Sequence, residues 1–108
     1  MTPNPLPSLR QLRYLVELAG RLNFRQAAEV LFVTQSTLSA GIKELENQLG
    51  VQLVERDRRS VRLTPAGAQV AERARSLVAS AQDLVSAVKG AASPLSGSLR
   101  LGVIPTIA

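Results

Sequence analysis

Residues 33–50 read VTQSTLSAGIKELENQLG. Thr34 is a hydroxyl residue placed to cap a helix, and Gly50 is suited to end one. Between them Leu38, Ile42, Leu45 and Leu49 recur at helical spacing. At about 100° per residue these four side chains gather within about 40° of one line. Ser36, Ala40, Lys43 and Asn47 centre on the opposite face, Ser39 lies on the flank, and Gln35 projects from the N-terminal end. One side of the helix is core; the other is small, uncharged and hydrogen-bonding, with a single lysine. The chain around it carries 13 Lys+Arg against 8 Asp+Glu, a net charge of +5. The excess positive charge therefore lies elsewhere.

Upstream, Ser8 caps a helix running to about Gly20, with Leu9, Leu12, Val16 and Ala19 along one stripe. Asn23 caps a second, short helix in which Phe24, Ala27, Ala28 and Leu31 repeat as i, i+3, i+4, i+7. Its paired alanines permit close packing. Phe32 and Val33 form a tight corner into the Thr34 helix, so helices two and three make a helix-turn-helix pattern. Downstream, period two takes over. Val51, Leu53 and Glu55 alternate with Gln52, Val54 and Arg56, RDRRS turns, and Val61 and Leu63 return. This predicts a two-stranded wing with a basic tip. Thr64 and Pro65 then open a long helix reaching Lys89 and Gly90.

The fold class is therefore mainly α: three helices, a two-stranded wing and a long C-terminal helix. Residues 1–7 form a Pro-rich arm, 8–64 the winged domain and 65–91 the long helix. Residues 92–108 hold a linker, ASPLSGS, and LRLGVIP, which reads as the first strand of a further domain. Val70, Ala74, Leu77, Ala81, Leu84 and Val88 step by four and three along the long helix, the pattern of a coiled-coil seam. A body of about 60 residues cannot cover a helix of that length, so the seam predicts a homodimer.

Composition excludes much. There is no Cys and no His, so disulfides, thiolate nucleophiles, imidazole bases and zinc fingers are out, and neither a catalytic site, a metal site nor a cofactor is expected. No apolar run approaches a membrane span, and MTPNPLP is not a signal peptide, which predicts a cytoplasmic protein. The charge sign points to an acidic partner. Arg56, Arg58, Arg59 and Arg62 crowd the wing, and Arg10 and Arg25 stand near helix N-termini, where a cation opposes the macrodipole unless that end faces a phosphate. Gln can pair with adenine and Ser with most bases. The residues alone leave two readings: a sequence-specific DNA-binding module, or a helical assembly protein whose basic wing meets an acidic protein or a membrane.

The marks NFRQAA, VTQSTLSAGIKELENQLGVQLVER and LTPAG, within residues 9–67, resemble the DNA-binding domain of the LysR-type transcriptional regulators. The tail SGSLRLGVIPTIA, Arg25 and the wing pattern most resemble the OxyR-type, hydrogen-peroxide-inducible activator branch. The resemblance implies a winged helix-turn-helix dimer on an interrupted palindrome of double-stranded DNA. It also implies an effector domain beginning near Ser98, a tetramer of the intact protein, and RNA polymerase as a further partner. Carried over by position, Gln35, Ser36 and Ser39 would read bases. Arg10, Arg25, Thr34, Thr37, Lys43 and Arg58 would serve phosphates, and Arg59 a minor groove. Many members have Pro at the position of Ser36 and Arg at that of Ala40.

Overall fold

The structure is a computed structural model describing residues 6–57 and 59–92. The elements follow in the order α1 (Leu9–Arg21), α2 (Phe24–Leu31), α3 (Gln35–Leu49), β1 (Val54–Arg56), β2 (Val61–Leu63) and α4 (Pro65–Ala92). The first expected residues of the arm, Arg58 of the wing tip, and the expected linker and strand after residue 92 lie outside the described residues.

Each short helix is stopped at both ends by local chemistry. Ser8 Oγ accepts the Gln11 N–H while Gln11 Oε1 accepts the Ser8 N–H, a closed capping box at 3.1 and 2.8 Å. Asn23 Oδ1 accepts the Gln26 N–H at 2.9 Å, and Thr34 Oγ1 accepts the Thr37 N–H at 3.0 Å. α1, α2 and α3 end on left-handed residues: Leu22 (φ 51°), Phe32 (φ 60°) and Gly50 (φ 72°). Glycine enters that region freely; a leucine or phenylalanine does so at a cost. The corner between α2 and α3 is therefore imposed by its surroundings. Val33 N–H bonds to Ala28 O at 3.1 Å, and Val33 packs against the core.

The chain divides into a unit ending at Val78 and one beginning at Ala79. In the first, Leu12, Leu15 and Leu18 of α1, Ala27 and Ala28 of α2, and Leu38, Ile42 and Leu45 of α3 form the core with Leu53, Val54, Ala71 and Ala74. Each fully buried leucine contributes about 1.5–3 kcal/mol. The core is aliphatic, as expected, with Tyr14 its one buried aromatic among the described residues. Gly41 makes room for it: a Cβ there would stand 2.6 Å from the Tyr14 ring.

The wing departs from the sequence reading. The strand begins at Val54, not Val51, and Leu53 and Val54 are both buried, which strict alternation forbids. The reason is Glu46 of α3. Its Oε2 accepts the N–H groups of both residues, at 2.8 and 3.1 Å, and so turns the entering chain onto the helix before pairing starts. β1 and β2 then pair antiparallel, Val54 opposite Leu63, Glu55 opposite Arg62 and Arg56 opposite Val61. Thr64 closes the wing onto α4. Its hydroxyl donates to Gln52 O at 2.6 Å and accepts the Gly67 N–H at 2.9 Å. A Cβ on Gly67 would fall inside the Leu53 carbonyl group.

The stripes also need correction. Leu9 and Leu49, placed on apolar faces by spacing, are exposed. In α4, Ala74 is buried in this unit's own core and Val70 packs against it, so these two seam positions are occupied within the domain. Leu77 is exposed. In the second unit Leu84, Val85 and Val88 are 66, 50 and 61% exposed, and Ala81 is half-buried.

Candidate nucleic-acid interface

The buried stripe Leu38, Ile42 and Leu45 fixes the rotation of α3, and with it the surface the helix presents. Ser36, Ala40 and Lys43 are exposed on the face the spacing assigned to them, and Gln35 is exposed at the N-terminal end. The helix start is built to leave donors free. Thr34 satisfies one N–H, that of Thr37, and its own hydroxyl donates to Thr37 Oγ1 at 3.0 Å. The first-turn N–H groups that remain point along the axis, where the macrodipole favours an anion. Thr34 has thus spent its hydroxyl on the helix, and Thr37 keeps a hydroxyl proton to donate.

Ser39 is not an open reader. Its Oγ accepts from Arg56 Nη2 at 2.6 Å. The Arg56 guanidinium also lies over the Phe24 ring, 4.3 Å from its centroid, a cation–π contact. Phe24, Ser39, Ile42, Lys43, Glu46 and Arg56 line a shallow groove of about 160 Å³ between the wing and α3. Counting Arg56 only as wing charge missed this role. Nothing in the spacing announces it, because Phe24, Ser39 and Arg56 meet only when three elements close.

The remaining cations divide. Arg25, expected on a phosphate, pairs with Glu29 one turn on, at 3.3 Å. Both partners are well exposed, so the pair is weak and readily exchanged. Arg62 pairs with Glu55 across the wing at 3.6 Å, and Arg21 with Glu17. Arg10, Lys43 and Arg59 are exposed and have no ion pair among the described residues. The tip is shaped by Asp57, whose Oδ1 accepts the Arg59 N–H at 2.8 Å and the Ser60 N–H at 2.9 Å. These bonds hold its carboxyl below the usual carboxylate range, the Arg59 amide contributing most and the Ser60 amide next. The tip thereby gains a defined turn that places Arg59 at its end.

An uncharged helix face beside a basic wing, both rigidly based on one small core, defines a winged helix-turn-helix DNA-binding domain. The chain belongs to the lysR family of bacterial regulatory helix-turn-helix proteins, which it matches over residues 9–68. It is 62% identical over 103 residues to the HTH-type transcriptional regulator EstR of Acinetobacter baylyi, covering 95% of this chain and 34% of that protein. It is 40% identical over 100 residues to the dual regulator OxyR of Escherichia coli K12, covering 93 and 33%. Among solved structures it is similar to a hydrogen-peroxide-bound mutant of Corynebacterium glutamicum OxyR, with TM-score 0.79, 41% identity and coverage of 82 and 27%. It is also similar to the BenM DNA-binding domain in complex with catB site 1 DNA, with TM-score 0.74, 40% identity and coverage of 80 and 96%. The chain spans about a third of the length of these two curated relatives.

Proposed function

We propose that this chain reads a promoter site in double-stranded DNA as a homodimer, and acts by binding, not by catalysis. The observation that carries this reading is the exposed face of α3, uncharged from Gln35 to Ala40 and set opposite the buried stripe Leu38, Ile42 and Leu45. Gln35, Ser36 and Ser39 meet base edges in the major groove. Arg10, Arg25, Thr37, Lys43, Arg58 and the free N–H groups after Thr34 hold phosphates, and Arg59 enters a minor groove. The solved DNA complex of the similar BenM domain supports DNA as the partner. Leu77, Leu84 and Val88, exposed along α4, are the remaining seam between protomers, with Ala81 beside them.

For the intact regulator we propose an effector domain beyond this chain, a tetramer, RNA polymerase as a partner and a bacterial cytoplasmic, nucleoid-associated location. No described helix is long and apolar enough to cross a membrane. Relatives named hydrogen peroxide-inducible genes activators, at 40–46% identity, support control of peroxide-response genes. This chain has no cysteine, so cysteine-based peroxide sensing would belong to the other domain.

The test is the salt dependence of duplex binding. Five cations per protomer, Arg10, Arg25, Lys43, Arg58 and Arg59, make about ten per dimer, giving a log–log slope on the order of −9. A slope near zero contradicts the reading.

A further inference from the structure

We infer that Arg56 is a positioning residue for Ser39, turning it into a directed hydrogen-bond donor that reads an acceptor on the base edge. The inference rests on the reading of α3 as the recognition helix.

A serine hydroxyl has one proton and two lone pairs, so an unconstrained serine bonds to donors and acceptors alike and discriminates poorly. Here the oxygen is constrained. A guanidinium can only donate, so at 2.6 Å Ser39 Oγ is the acceptor. Among the described residues that is the hydroxyl's one hydrogen bond, and the common helical alternative, donation back to the carbonyl one turn earlier, is not made. A cationic donor on the oxygen polarises the O–H and strengthens it as a donor. The proton is left for whatever enters the groove.

A ring contact and an anchored strand fix the guanidinium's place. It lies over the ring of Phe24, the first residue of α2. It extends from the last residue of β1, which pairs with Val61. β1 is in turn seated on α3 by the Glu46 carboxylate. Lysine cannot reproduce this arrangement, since it has neither the planar face nor the fixed fork. Ser39 thus selects purine N7, guanine O6 or thymine O4, and rejects an edge that offers only an amino donor.

The experiment measures affinities of wild type, Ser39→Ala, Arg56→Lys and the double variant for a bound duplex, with every base pair changed in turn. Wild type discriminates by about tenfold at one pair against a donor-only edge, the scale of one good hydrogen bond to a polarised group. Ser39→Ala and Arg56→Lys each flatten that same pair, the double variant loses nothing more, and the salt slope of Arg56→Lys is unchanged. Phe24→Leu, which removes the ring but keeps an apolar side chain, partly flattens the same pair. Retained discrimination in Arg56→Lys overturns the inference. So does uniform weakening at all positions, which would make Arg56 a phosphate anchor. Absence of duplex binding by wild type would defeat the functional reading itself; discrimination by Gln35 but none by Ser39 would defeat this inference alone.

Discussion

Glu46 Oε2 accepts the Leu53 N–H at 2.8 Å, across seven residues of sequence. This contact couples the recognition helix to the wing, because the same oxygen also takes the Val54 N–H. Removing it strands two backbone donors at the edge of the core. Glu46→Ala should therefore cost about 2–3 kcal/mol in denaturant unfolding. Glu46→Gln, which keeps a neutral acceptor, should cost about 1 kcal/mol. Equal stability of Glu46→Ala and wild type would show the seat to be incidental.

Gly67 stands where the start of α4 crosses the chain at Leu53. A side chain there meets backbone, which cannot swing aside, so Gly67→Ala should cost at least about 3 kcal/mol. Gly20, inside α1 with open space around it, is the matched control. Gly20→Ala should stabilise by about 0.5–1 kcal/mol. Urea midpoints of the two variants should move in opposite directions.

Asp57 gives the wing tip a pH dependence. Its folded pKa lies below the unfolded value because the Arg59 and Ser60 amides bond to the ionised form. The contribution is present above about pH 3.9, the usual unfolded value, and fades as pH falls through the lower folded value. The amide resonances of Arg59 and Ser60 should shift together below the usual carboxylate range, and Asp57→Asn should abolish that titration. A midpoint at the ordinary aspartate value would contradict the turn geometry.

Leu84 and Val88 are apolar and exposed on α4. If they form the seam between protomers, Leu84→Lys with Val88→Lys should convert a dimer to a monomer in sedimentation equilibrium. The helix-turn-helix unit should keep its melting behaviour, since neither side chain is in its core. A dimer that survives both changes would place the interface elsewhere.

The legible parts of this fold are those decided within one turn of helix. Ser8, Asn23 and Thr34 each cap the helix that follows, and the stripe Leu38, Ile42 and Leu45 is buried as its spacing requires. Contacts between distant residues were not legible. Strand alternation placed the wing's start at Val51, since no local pattern reveals that Glu46 captures the chain at Leu53. The seam of α4 looked continuous because Ala74 packs against its own domain with the same periodicity that would serve a partner. The candidate site follows the same rule. The exposed face of α3 could be read from helical geometry, whereas the Arg56–Ser39 bond depends on how β1, α2 and α3 close together.

Selection of bound duplexes from a random pool shows whether α3 reads sequence. Two inverted half-sites should be enriched, with centres separated by about one helical turn of 10–10.5 base pairs or a multiple of it. Gln35→Ala should relax selection at one pair per half-site, a loss of about 1–3 kcal/mol confined to that pair. Retention of duplexes with no enriched sequence would contradict base reading by α3, because the basic wing alone would then explain the binding.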